Sequence, residues 1–490
     1  MASATGAARV GIGAFYDTLW SGPRYAVTRW HLDLVLEALL IAAWFVIRTL
    51  ASVDGRAYLL WVVVVGLLAL VAPRSGLVVF VATSVFYEPD SIVATLGPRE
   101  LLVLPLAVGV SIQVAADRLR WRPGPAIWLA LALLIGTALG VVHTFAEFDQ
   151  VFQWHAAQSW IGNMLAPIVV LIAAAWTARD GSMRVLAVAT GVGVVAALVG
   201  LLEYAAPGSV SNGPLAWVGY WKDFGARLAG IVPSPNALST QLIVPTMVLA
   251  AAVVLARDVR LRAIALVALI PVAVAQYLTY SRAPFLAAYV FVVIVAWRFR
   301  RWVGIAVLIL GLAGGAIALP VYLGIRTSTV GGSQVEPGSI VVASDADRFR
   351  AWGAAIGMVE DQPFVGQGYL AYKELADTFG DPTLGSPHNE WLRIFAEDGV
   401  VIGVVGLAFV VATAITLAYV PGWLGTGVLA GWIAYVIAAS FNNPLLFVRV
   451  SAVAFAITGV GLAFANQARS PASVEAEPEG GGTAEDPALH

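Results

Sequence analysis

The chain contains no cysteine and only two lysines, Lys222 and Lys373, against 26 arginines. The missing thiol excludes disulfides, thiolate metal sites and a cysteine nucleophile. Charge is scarce as well. Asp, Glu, Lys and Arg make up 12% of the 490 residues, where a soluble domain carries roughly a quarter. The five histidines (His31, His143, His155, His388, His490) are scattered, with no HExxH pattern and no His/carboxylate cluster. The sequence therefore offers no metal site and implies no cofactor. Nothing in it points to a nucleic-acid partner.

What the chain has in abundance is apolar sequence: 60% of all residues, with a mean hydropathy of +0.84. Apolar runs recur near 33–50, 58–72, 76–88, 100–115, 125–142, 160–177, 183–205, 236–256, 262–280, 283–298, 302–323, 399–419, 422–440 and 445–466. A span needs about 20 residues, so the run at 76–88 either crosses or re-enters. The pattern predicts an all-α polytopic membrane protein with twelve to fourteen transmembrane helices and one long structured extracytoplasmic loop. The expected division is a cytoplasmic N-terminal tail (1–32), an N-terminal bundle (33–323), the long loop (324–398), C-terminal membrane helices (399–466) and a disordered cytoplasmic tail (467–490). Residues 1–30 show no cleavable signal pattern, and a surface helix is expected near Phe15–Trp20.

Orientation follows from arginine placement. Arg118/Arg120/Arg122, Arg179/Arg184, Arg257/Arg260/Arg262 and Arg298/Arg300/Arg301 cluster in short connections. With these inside, the spans alternate without conflict and both termini are cytoplasmic. Arg48 and Arg449 then fall within spans. Four polar elements land on the outer face: the loop 206–235 with Arg227, the tight turn Tyr280-Ser281-Arg282-Ala283-Pro284, the long loop, and the turn Phe441-Asn442-Asn443-Pro444.

The long loop holds five basic residues (Arg326, Arg348, Arg350, Lys373, Arg393) and His388, the one side chain there that titrates near neutrality. A helix is expected over Arg348–Glu360, with Trp352, Ile356 and Val359 on one face, and a second over Tyr369–Thr378. Gly366-Gln367-Gly368 reads as a turn. Pro387-His388-Asn389 opens a further helix with Asn389 as its N-cap, and Asn236 can cap the span that follows Pro233-Ser234-Pro235. Each candidate has a plainer reading. Arg282 can snorkel to lipid phosphate, Arg227 can be solvated, Arg348 and Arg350 can pair with Asp345 and Asp347, and His388 can be structural. Glu360, Asp361, Asp377 and Asp381 read as solvated.

Four stretches carry a resemblance: RLAGIVPSPNALS (227–239), TYSRAPFLA (279–287), RFRAWGAAIGMVEDQPFVGQGYLAY (348–372) with its R…W…P-x-x-G-x-G pattern, and HNEWLRIFAEDGVVIG (388–403) with HN-x-x-L…E-x-G. In this order they are similar to the O-antigen ligase and polymerase superfamily, Wzy-type membrane glycosyltransferases of GT-C-like architecture. Ala283-Pro284 departs from the glycine common in relatives. The resemblance implies transfer of a glycan from a polyprenyl (undecaprenyl) diphosphate carrier to an acceptor hydroxyl on a glycan, lipid or protein. The site would lie on the outer face of the bacterial cytoplasmic membrane. It also implies that Arg227, Arg282, Arg348 and Arg350 bind the donor diphosphate and that His388 activates the acceptor, with Asn236, Asn389 and Arg393 supporting them. The residues leave ligase and polymerase equal. A secondary transporter of an anionic solute is the alternative from another class.

Overall fold

The computed structural model describes residues 23–50, 55–84, 86, 98–116, 121, 123–213, 216, 227–232, 234–314, 339–381 and 385–468. The expected helix near Phe15–Trp20, the glycine-rich start of the long loop and the C-terminal tail after residue 468 lie outside them. The described chain is helical throughout, with α1 Pro23–Leu50, α2 Gly55–Val71, α3 Pro73–Ser84, α4 Pro98–Ala116, α5 Pro125–Glu147, α6 Gln150–Thr177, α7 Arg184–Ala205, α8 Pro235–Leu255, α9 Val259–Leu278, α10 Ala283–Phe299 and α11 Arg301–Gly314. After these come α12 Ser339–Asp361, the short α13 Tyr372–Leu375, α14 Glu390–Ala418, α15 Gly422–Ala439 and α16 Val448–Ala468. Proline opens five helices, at Pro23, Pro73, Pro98, Pro125 and Pro235. Its missing N–H costs nothing in a first turn, where that donor has no intrahelical partner.

Eight described helices are long and apolar enough to cross a membrane, and four shorter apolar ones join them. The structure is thus an all-α polytopic membrane bundle. The run at 76–88 appears as α3, whose 12 residues are buried except Arg74. At 1.5 Å per residue it spans ~18 Å, short of the ~30 Å hydrocarbon layer. Lipid gives helices no hydrophobic reason to associate, so small residues at close crossings matter. Gly427 and Gly431, one turn apart on α15, meet α8 so closely that a Cβ would sit 2.8 Å from Val248 Cα and 3.0 Å from Val244 Cα.

At one end of the bundle α12, α13 and the start of α14 form a cap with its own core of Ala351, Ala354, Ala355, Met358, Tyr372, Ala376 and Ala396. The helix is longer than the expected Arg348–Glu360, and its packed face is also different. Positions 351, 354, 355 and 358 are buried, whereas Ile356 is 47% exposed. Alanines let α12 approach Ala396 of α14, a contact that a search for bulky side chains overlooks.

Candidate active site

The first half of the site is a knot around Arg227. Its Nε donates to the Thr279 carbonyl at 3.0 Å and its Nη2 to Asn236 Oδ1 at 2.9 Å. The Leu228 amide donates to the Leu278 carbonyl at 2.9 Å. One guanidinium therefore fixes the loop before α8 against the turn that delivers Arg282. Asn236 is occupied by Arg227, and the N-cap of α8 is Ser234, whose hydroxyl accepts from the Ala237 amide at 3.1 Å. The expectation that Asn236 caps this helix is thereby corrected, because Pro235 takes the first helical position and puts the cap at Ser234, two residues earlier. In the next turn Tyr280 has φ +47°, and Arg282 is the half-buried N-cap residue of α10. Pro284 fits the first turn of that helix, so Ala283-Pro284 needs no glycine: the left-handed residue is Tyr280.

The second half is the cap. Asn389 caps α14 as expected, its Oδ1 accepting from the amides of Trp391 at 3.1 Å and Leu392 at 3.2 Å. His388 before it is half-buried and adopts φ +48°, a left-handed conformation uncommon outside glycine. Trp352 Nε1 donates to the Pro387 carbonyl at 2.9 Å. Arg348 lies one turn before Trp352 on the same face of α12, and its charge acts on His388. Burial first, and Arg348 second, hold the His388 imidazole below its ordinary value, while Asp381 pulls the other way. Arg350 faces elsewhere and is paired with Asp347 in an exposed ion pair. Asp381 is not solvated as expected. It is 2% exposed, and its Oδ2 lies 2.9 Å from the Tyr372 hydroxyl. The sequence reading missed this pair because Tyr372 and Asp381 belong to different turns of an irregular segment.

Arg393 is 1% exposed and works inside the protein. It donates to Glu390 Oε1 at 2.5 and 2.9 Å and to Glu397 Oε2 at 2.5 Å. Glu397 Oε1 in turn accepts from the Tyr372 amide at 3.3 Å. The start of α14 and the cap are braced through this one cation.

The turn between α15 and α16 joins the halves. The Phe441 ring lies 6.5 Å from Trp352, and the Leu445 amide donates to Glu390 Oε2 at 3.1 Å. On the other side Asn442 Nδ2 donates to Thr240 Oγ1 at 3.4 Å, and Thr240 donates to the Asn236 carbonyl at 2.9 Å. Arg227, Arg282, Arg348 and His388 thus belong to one end of the bundle, in elements tied to each other. Among the described residues no three His, Asp or Glu side chains converge to hold a metal.

This arrangement defines a class: a polytopic membrane protein with a folded polar cap that sets a histidine and arginines over the helix ends. Residues 264–411 match the family model described as O-antigen ligase. No curated protein matches the chain. The matched region contains Arg282, Arg348 and His388 and leaves out Arg227 and everything after α14.

Proposed function

We propose that the protein transfers a glycan from a polyprenyl diphosphate to an acceptor hydroxyl, by an inverting displacement at the extracytoplasmic face that needs no metal. Breaking the bond between the anomeric carbon and the diphosphate oxygen leaves negative charge on the departing phosphates. Arginine forks stabilise that charge. Arg227, Arg282 and Arg348 are the arginines assigned to it, and Arg350 contributes at longer range. The acceptor oxygen attacks from the opposite side of the sugar ring while His388 takes its proton, which inverts the anomeric centre. The observation that carries this reading is the pairing of Arg348 with a histidine held neutral, within the stretch that matches the ligase family model. A neutral ring beside a fixed cation suits a base that works next to a diphosphate. The polar groups gather at one end of the bundle, which favours transfer over transport. Incubating purified protein with a lipid-diphosphate glycan and candidate acceptors tests the proposal. New glycosidic product of inverted configuration is the expected result; solute accumulation in vesicles without product would favour the transporter.

A further inference from the structure

The P-x-x-G-x-G turn buries its glycines and leaves its two variable positions open. Gly366, Gln367, Gly368 and Tyr369 are buried, whereas Phe364 is 77% and Val365 57% exposed. Two adjacent large apolar side chains left open on a folded cap call for a partner. The backbone around them shows which partner is within reach.

The turn is wedged into the seam between α5 and α14. The Tyr369 amide donates to the Gly140 carbonyl at 3.1 Å, and Thr144 Oγ1 donates to the Tyr369 carbonyl at 3.0 Å. On the other side the Gly368 amide donates to the Glu397 carbonyl at 2.9 Å, and the Val400 amide to that of Pro363 at 2.7 Å. Both helices are long and apolar enough to cross a membrane, and both carry exposed apolar side chains at this level. On α5 these are Leu139 just before Gly140, and Val142 and Phe145 after it; on α14 they are Val401 and Val404, just past the kink. At 1.5 Å per residue, Phe145 stands ~7 Å nearer the end of α5 than Gly140 does. Its ring packs edge-on against the exposed Trp154 of α6, at 6.5 Å, and tryptophan favours the membrane–water boundary. The turn therefore lies level with the apolar outer surface of the bundle rather than above it.

The polar groups of the turn fit that depth. Irregular backbone at membrane level must satisfy its donors and acceptors within the protein. Pro363 has no N–H, and the amides of Gly366, Gln367, Gly368 and Tyr369 all donate to protein carbonyls, at 3.0, 3.0, 2.9 and 3.1 Å. Charge stops at the edge of the turn: Glu360 and Asp361 are exposed at the end of α12, which keeps any insertion shallow.

We infer that Phe364 and Val365 insert into the hydrocarbon edge of the bilayer, so that this turn is a lipid-seated foot of the cap. The long polar segment is then not wholly outside the membrane, as its sequence suggests. Insertion at this level does not depend on the proposed chemistry. The chain has no cysteine, so single sites can be labelled. A nitroxide is attached to Phe364→Cys, to Val365→Cys, to Thr378→Cys on the cap and to Val404→Cys on α14, each in the full chain in nanodiscs. Collisions with oxygen, which concentrates in hydrocarbon, are compared with collisions with a nickel chelate confined to water. Phe364→Cys and Val365→Cys should resemble Val404→Cys, with an oxygen-to-nickel ratio several times that of Thr378→Cys. A ratio in Phe364→Cys equal to that in Thr378→Cys would put the turn in water and overturn the inference. Low access to both agents would mean that protein covers the turn, a second copy or a partner, and would overturn it equally. Phe364 is exposed, so its replacement should leave the packing intact; if Phe364→Cys does not fold, Val365→Cys decides by the same two comparisons.

Discussion

At the scale of single residues, His388 is the group whose environment makes the sharpest statement. Its imidazole is held below the ordinary 6.5 by burial and then by Arg348. A base works in its neutral form, so turnover should be flat through neutral pH and fall only as pH drops through the depressed value. An acid catalyst would show the reverse, losing rate as pH rises. His388→Ala should cost about 10²–10⁴-fold in turnover with donor binding retained. Arg348→Gln removes the one charge that, after burial, depresses the histidine, so the acid limb should move up toward 6.5, in addition to any loss in donor binding. Arg350→Gln should leave that limb in place, because Arg350 is paired with Asp347 on the exposed side. A limb that moves equally in both variants would mean that Arg348 has no special relation to His388. For Arg282, the lysine variant is the informative one. Lysine keeps the charge and loses the bidentate fork, so Arg282→Lys should insert normally and lose most transfer activity. Wild-type turnover would mark Arg282 as a lipid anchor.

At the scale of elements, the structure explains why two separate motifs belong together. Gly399 interrupts α14 with φ 83° and ψ 170°, which frees backbone groups around the kink. The turn after α12 takes them up: Gln367 and Gly368 amides donate to the carbonyls of Ala396 and Glu397 at 3.0 and 2.9 Å, and the Val400 amide donates to the Pro363 carbonyl at 2.7 Å. The backbones touch, for a Cβ on Gly399 would lie 2.3 Å from the Phe364 carbonyl oxygen, and one on Gly366 would lie 2.3 Å from that of Glu397. P-x-x-G-x-G and E-x-G are therefore two sides of one joint between cap and membrane helix. Gly399→Ala adds both a left-handed strain and a clash with backbone, so it should lower the melting temperature and activity together, although residue 399 touches no proposed ligand. Arg393→Met should also destabilise, by about 3–5 kcal/mol, since it strands Glu390 and Glu397 in the interior. Legibility in the sequence follows from these physics. Asn389 was readable because capping is local. So was the turn at Gly366–Gly368. Ser234 as cap, the Tyr372–Asp381 pair and the Arg393 brace were not: Asn236 is drawn away from its helix end by Arg227, nine residues earlier, Tyr372 and Asp381 meet across irregular chain, and the burial that makes a brace of Arg393, Glu390 and Glu397 comes from the folded cap. Arg449 was visible as a charge in an apolar run, but its neighbours come from α8 and the loop before it.

At the scale of the whole molecule the proposal depends on orientation. Apolar run lengths were enough to read the helical bundle, and most helices lie where those runs predict. Which end faces out is a separate matter, decided by charge: Arg257, Arg260 and Arg262 flank the α8–α9 connection, and Arg298, Arg300 and Arg301 flank the α10–α11 connection. The positive-inside tendency retains such short basic loops in the cytoplasm. The α8 and α9 helices run between that connection and the end that carries Arg227, Asn236 and Thr279, so the proposal is that retention of the loop puts the cap on the opposite, outer side. The chain has no cysteine, which makes the test direct. Val259 is 72% exposed at the start of α9. Thr378 is exposed on the cap, next to α13. In intact cells a membrane-impermeant maleimide should label Thr378→Cys and spare Val259→Cys, and permeabilised cells should label both. Labelling of Val259→Cys alone in intact cells would invert the molecule and put His388 in the cytoplasm, where an extracytoplasmic transferase cannot work. Labelling of both in intact cells would mean that α9 does not cross the bilayer, and the convergence of Arg227 and Arg282 with the cap would then need another arrangement in the membrane.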